Sequence, residues 1–136
     1  ANSTEFDANT PYPVVDIMEE QKGVKRKGAT MRLGSYRCEI KKNTRAYNAY
    51  GETVIHERHR HRFELNNNFK EQLKSSGLIF SGLNKKLNLV EMIELEDHPW
   101  FVGVQFHPEL KSRVVKAHPL FREFISAAVS YSNKSE

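Results

Sequence analysis

The sequence predicts an α/β layered domain, and three observations lead to that class. Strand-like and helix-like apolar patterns are mixed along the chain. Residues 100–106, WFVGVQF, form a nearly continuous apolar run that stops at Pro108, the pattern of a central strand covered on both faces. Residues 118–131 close the chain with Leu120, Phe121, Phe124, Ile125, Ala128 and Val129 at helical spacing, behind a proline suited to the first helical turn. The length of 136 residues fits one domain, and no repeat or low-complexity tract interrupts it.

In chain order, residues 1–13 are polar and carry Pro11 and Pro13, which suits a loop, and Val14 to Met18 is a short strand. Glu19 to Gly28, with Lys22, Lys25, Arg26 and Lys27, reads as a solvated loop. Within 30–42, alternation puts Tyr36, Cys38 and Ile40 on one face and Met31 and Leu33 on the other, with Gly34 marking a bulge between the two phases. Asn43 to Gly51 is a helical turn ended by its glycine, and 53–65 is extended. Asn67 or Asn68 caps a helix that runs to Ser76 and stops at Gly77. Residues 78–83 and 87–95 pair as a hairpin through Asn84-Lys85-Lys86.

Composition narrows the function. Lysine and arginine number 21 against 17 acids, a net charge of +4, too small an excess to argue for nucleic acid. One cysteine excludes an internal disulfide framework and a cysteine-based zinc finger. No apolar run is long enough for a membrane helix, and the reading is a reduced, cytoplasmic protein without a membrane partner.

The sharpest chemical feature is Phe106-His107-Pro108-Glu109. On an extended chain His107, Glu109 and Gln105 share a face. Pro108 cannot donate to a ladder, so the pair projects from the end of the strand, where α/β sheets bind ligands. A carboxylate on one imidazole nitrogen fixes the tautomer and leaves the other nitrogen as a general base. The bland alternative is a histidine that merely ends a strand. Such a base needs a nucleophile, and Cys38 lacks the small flanking residues of a nucleophile elbow; it reads as an inert strand residue. Part of the site is therefore expected to come from outside this chain.

The second feature is Glu57-Arg58-His59-Arg60-His61-Arg62-Phe63. If extended, the arginines share one side and His59 and His61 the other. A metal site from His56, His59 and His61 is disfavoured, because adjacent arginines repel a divalent cation. Bidentate recognition of a carboxylate or phosphate by arginine is the better reading, with a segment salt-bridged to Glu57 and Glu64 as the bland one. His98-Pro99-Trp100 reads as structural, with Trp100 supplying packing area.

The segments ANSTEF (1–6), GATMRLG (28–34), ERHRHRFELN (57–66), HPWFVGVQFHPEL (98–110) and HPLF (118–121) together resemble the CTP synthases, over the later half of their class I glutamine amidotransferase domain. The resemblance covers essentially the whole chain and implies a flavodoxin-like α/β fold with a mixed central sheet and flanking helices. It also implies an enzyme that aminates UTP to CTP with ATP and with ammonia released from glutamine by a Cys-His-Glu triad. His107 and Glu109 match the histidine and the carboxylate of that triad. Glu5 and Arg62 match glutamine-binding positions, facing the α-amino and carboxylate ends. Phe63 stands where relatives often carry tyrosine, and Arg113-Val114-Val115-Lys116 where they often carry prolines. The nucleophile-bearing half of the domain and the synthetase domain have no counterpart in residues 1–136, so the chain by itself is expected to be inactive. No cofactor or metal site is expected in this chain. The resemblance further implies magnesium, ATP and UTP sites in the synthetase domain, GTP as an allosteric effector and a homotetrameric full-length enzyme. The competing reading is a non-catalytic regulatory or assembly module that keeps the fold.

Overall fold

The computed structural model describes residues 1–17 and 31–134. The basic stretch of residues 19–28 lies outside the described residues, as does Met18. Among the described residues, eight strands fall into two sheets. Strands β1 (Asn2–Ser3), β2 (Pro13–Ile17) and β5 (Phe63–Leu65) form the smaller, in the order β1-β2-β5. The larger runs β4-β3-β6-β7-β8, from β3 (Arg32–Ile40), β4 (Val54–His61), β6 (Leu78–Asn84), β7 (Leu89–Leu95) and β8 (Val102–Val104). Among the described residues β1 and β2 pair in parallel, and the other named pairings are antiparallel.

Alternation in β3 buries Cys38 and Ile40, half-buries Tyr36 and leaves Leu33 exposed, as the sequence predicts. The expected bulge at Gly34 is absent. Residues Arg32 to Glu39 pair one for one with His61 to Val54, and Gly34 instead takes a φ of 105° inside an unbroken ladder. That value lies in the region glycine alone enters without steric cost. Gly82 in β6 has a different reason: an added Cβ would lie 2.5 Å from Met92 Cγ and 2.8 Å from Cys38 Sγ.

Helix α1 (Arg45–Tyr50) is capped by the Thr44 hydroxyl, which accepts from Tyr47 N–H, and it ends at Gly51 with φ 71°. The predicted helix after Asn67 is a 3-10 turn, Asn67–Phe69, capped by Asn66 and continued as α2 (Lys70–Ser75). The β6–β7 hairpin forms as expected, with Asn84 Oδ1 accepting from Leu87 N–H in the turn. Helix α3 (Pro119–Ser132) is capped by His118.

Two expectations about burial change. The 100–106 run is not a central strand: β8 holds three residues, is half-buried and lies at an edge, paired to β7 alone among the described residues. Only Phe106 of that run is fully buried. On α3 only Leu120 is buried, while Phe121, Phe124, Ile125 and Val129 remain 40–58% exposed. The core gathers Cys38, Ile40, Ile55, Met92 and Phe106 with Ala46, Ala49 and Leu120 from the helices.

Candidate active site

The chain leaving β8 is tied down at three points before it reaches His107. Gln105 N–H donates to Glu91 C=O at 3.1 Å, Phe106 enters the core, and His107 N–H donates to Arg58 C=O at 2.8 Å. Pro108 then starts a 3-10 turn, Pro108–Leu110. The turn swings Glu109 back, so that its Oε1 lies 2.7 Å from His107 Nδ1. The predicted pair therefore forms, but by the turn that Pro108 starts and not by a shared face of an extended strand. His107 and Glu109 side chains are 40% and 57% exposed. Glu109 accepts from its own backbone N–H and from His107, which together hold its carboxyl below the usual range. With Nδ1 donating to Glu109, the lone pair of the neutral ring lies on Nε2, which has no partner among the described residues.

A cleft of about 460 Å³ brings Glu5 and Arg62 together, with Arg60, His61, Phe63 and Gln105 also on its wall. Its volume falls within the ~300–1,000 Å³ range of small-molecule sites. Glu5 reaches it from the turn after β1, where Phe6 N–H and Asp7 N–H both bond to Ser3 C=O. The Thr4 hydroxyl fixes that turn by donating to Asp16 of β2 at 2.7 Å. Arg62 occupies the bend at which the chain passes from β4 in one sheet to β5 in the other. The bend ends the alternation expected through 58–62: Arg58 and Arg60 are exposed and His59 is buried, but Arg62 is half-buried at the cleft. A carboxylate and a guanidinium on one small wall suit a zwitterion, each end of which meets the opposite charge.

Behind the wall lies a buried cluster that sequence reasoning missed. Arg32 donates to Glu91 through two nitrogens, at 2.7 and 3.1 Å, and reaches Glu64 at 3.3 Å. Burial raises the Glu64 carboxyl to about 7 despite Arg32, and burial likewise raises Glu91. His61 Nδ1 donates to Phe63 C=O at 3.0 Å, so its Nε2 accepts from His59 Nδ1 at 2.7 Å. Burial and the Arg32 charge push His59 down to about 3 and His61 to about 4. His59 and His61 bond to each other, and His56 lies on the opposite, exposed face of β4. The bland reading of Glu57 and Glu64 is altered as well. Their partners are His118 and Lys111, and Arg32 and His61, rather than the arginines of β4. The signal in the sequence was the acids at buried positions of β5 and β7, Glu64 and Glu91, which a count of apolar alternation passes over.

Cys38 has no exposed surface, and burial pushes its thiol up to about 12. A thiol so rarely ionised and so enclosed is no nucleophile. His98 is exposed and accepts from Trp100 N–H at 3.2 Å, a local turn contact.

The family model for Glutamine amidotransferase class-I matches residues 6–127. The chain belongs to the class I glutamine amidotransferase family. This amidotransferase chain is 61% identical over 132 residues to a CTP synthase of Methanothermobacter thermautotrophicus, covering 97% of the chain and 25% of that protein. It is 58% identical over 135 residues to a CTP synthase of Chlorobium phaeobacteroides, covering 99% of the chain and 24% of that protein. The chain thus spans about a quarter of the length of these curated relatives. Among solved structures it superposes on the Trypanosoma brucei CTPS glutaminase domain with bound acivicin with a TM-score of 0.86 at 32% identity, over 95% of this chain and 50% of that one. These matches establish the amidotransferase fold expected from the sequence, with its strands divided as described above.

Proposed function

We propose that this chain is the part of a CTP synthase glutaminase domain that supplies the histidine and carboxylate of a Cys-His-Glu triad and one wall of the glutamine site. The observation that carries the reading is the His107–Glu109 bond of 2.7 Å at the exposed end of β8, two residues beyond the cleft that joins Glu5 and Arg62. The similarity to CTP synthases over nearly the whole chain supports the substrate class.

In this reading Glu5 receives the α-amino group of glutamine and Arg62 its carboxylate, which points the side-chain amide toward His107. His107 Nε2 takes the proton of a cysteine supplied from outside residues 1–136, a role that buried Cys38 cannot fill. The thiolate attacks the amide carbon. As the C–N bond breaks, His107 returns the proton to the departing nitrogen, which leaves as ammonia. His107 then takes a proton from water, whose oxygen attacks the thioester; glutamate leaves and the thiol is restored. Glu109 keeps the Nδ1 proton in place and stabilises the imidazolium at each stage. The remainder of the glutaminase domain covers the exposed apolar face of α3, and the chain by itself hydrolyses no glutamine. Amination of UTP with ATP and magnesium, the response to GTP and the assembly of a homotetramer belong to the whole enzyme.

The test uses the full-length enzyme that contains this chain, with His107→Ala. Glutamine-driven CTP formation falls ~10³-fold or more while ammonia-driven formation is retained. Equal loss of both rates, or retention of both, would overturn the reading; retention of both is the behaviour expected of a non-catalytic module.

A further inference from the structure

Glu5 and Arg62 belong to the smaller sheet and its border, whereas His107 hangs from the larger one. Their separation decides whether a bound substrate amide meets the base, and a misplacement of about 1 Å can cost ~10²-fold in rate. Something must therefore hold the two sheets at a set distance beside the cleft. The side chain of Gln105 reaches from the His107 segment to β5. With its amide oriented so that the oxygen faces the donor and the nitrogen the carboxylate, Gln105 accepts from Leu65 N–H at 2.9 Å through its carbonyl oxygen and donates to Glu64 Oε2 through its NH₂. This orientation gives each end of the amide its complement, a donor for the oxygen and a carboxylate for the nitrogen.

Both anchors are buried and paired. Leu65 is buried and pairs with Val15 of β2, the strand against which the Glu5 turn is tied. Glu64 is buried, lies opposite Asp16 in the same ladder and is held by Arg32. At the other end, the Gln105 backbone is fixed to Glu91, which Arg32 also grips. Arg32 therefore braces both ends of the bridge.

We propose that Gln105 is a positioning residue of the glutaminase reaction: its side chain bridges from the strand end carrying His107 to Glu64 and Leu65 of β5, and so sets the base relative to the groups that hold glutamine. This rests on the assignment of His107, Glu5 and Arg62 above. A bridge of this kind acts on the alignment of the bound amide more than on the hold on its amino-acid end. Its loss lowers kcat and leaves KM nearly in place.

The experiment measures glutamine-driven and ammonia-driven CTP formation in the full-length enzyme for Gln105→Met, Gln105→Glu and the double variant Glu64→Gln with Gln105→Glu. Gln105→Met keeps the bulk and removes both hydrogen bonds. Its expected result is a ~10–100-fold fall in glutamine kcat with KM within about threefold and the ammonia-driven rate kept. Gln105→Glu sets two carboxylates against each other and falls at least as far. The double variant reverses donor and acceptor across the same bridge and recovers at least tenfold of that loss, which a purely structural defect would not do. A wild-type kcat in Gln105→Met, a loss confined to KM, or no recovery in the double variant would overturn the proposal. If Gln105→Glu also loses the ammonia-driven rate, Gln105→Met decides alone. His107→Ala measured beside them separates the two readings. If it keeps glutamine-driven activity, the triad assignment falls; if it loses that activity while Gln105→Met does not, only the bridge falls.

Discussion

His107 and His118 each precede a proline and each bond to a glutamate, yet they occupy opposite environments. The His107–Glu109 pair, 2.7 Å apart, is 40% and 57% exposed, whereas His118–Glu57, 3.1 Å apart, is 2% and 1% exposed. In the buried pair both ring nitrogens are taken. His118 Nδ1 accepts from Leu120 N–H as the cap of α3, which leaves the proton on Nε2 for Glu57. The Tyr50 hydroxyl lies 3.1 Å from the same Glu57 oxygen, and Lys111 Nζ 3.3 Å from it. Burial would raise Glu57, but His118 and Lys111 together outweigh it and hold the carboxyl below its usual range. The difference teaches what a general base requires: one nitrogen left unclaimed and a site that opens outward, which the exposed pair has and the buried pair lacks. With both nitrogens occupied and no exposure, the same two groups are a bolt between α3 and β4.

Beyond the loss expected of His107→Ala, the largest effect that sharpens this contrast belongs to the bolt. Glu57→Ala removes the carboxylate oxygen shared by His118 Nε2, the Tyr50 hydroxyl and Lys111, leaving His118 and Tyr50 only each other at 3.2 Å, and costs about 3 kcal/mol of local stability. Amide exchange across β4 and α3 of the full-length enzyme reads that cost. The ratio of glutamine-driven to ammonia-driven rates stays at the wild-type value. The exposed pair behaves the other way round. Glu109→Gln lowers that ratio by ~10–100-fold, because the amide still reaches Nδ1 but no longer stabilises the imidazolium, and it changes stability by less than about 0.5 kcal/mol. A Glu57 variant that altered the ratio, or a Glu109 variant that unfolded the region, would break the distinction between the two pairs.

The smallest effect concerns the groups between these extremes, buried behind the cleft. His59 and His61 are pushed down to about 3 and 4, so the unfolded chain binds more protons than the folded one below about 6.5, and their contribution is lost as pH falls. Glu64 has the opposite sign. Raised to about 7, it binds a proton in the folded chain that the unfolded chain releases above about 4.5, so its contribution grows as pH falls from 7 to 4.5. The two trends oppose each other between pH 7 and 5. Glu64→Gln removes the compensating one, and amide exchange in β3 and β5 then shows a stability loss from pH 7 to 5 steeper than the parent's by on the order of 1 kcal/mol. An unchanged slope would show that Glu64 does not titrate in this range.

Much of the local structure was legible because its causes are local. Gly51 and Pro119 mark helix ends by their own backbone preferences, and the apolar period of β3 predicts its buried face. The His107–Glu109 contact was legible for a similar reason: two residues on either side of a proline have few ways to miss each other. The apolar runs misled where composition was taken for burial. WFVGVQF reads as a central strand, but β8 has a neighbour on one side only, and the apolar stripe of α3 faces outward. An apolar pattern records that a surface is to be covered, not which piece of chain covers it.

The sequence by itself determined the order of the elements, the α/β class, the motif-borne pair at His107 and Glu109, and the likeness that made Glu5 and Arg62 candidates, because each depends on neighbours a few residues apart or on a string of letters. Tertiary structure alone decided that Glu5 and Arg62 share a cleft, that Arg32 joins Glu64 to Glu91, and that Gln105 spans from β8 to β5. These partners lie 32 to 59 residues apart, and only the packing of two sheets brings them together. A buried charge cannot remain unpaired, so the fold selects its partner; that choice is made in space, and sequence distance carries no trace of it.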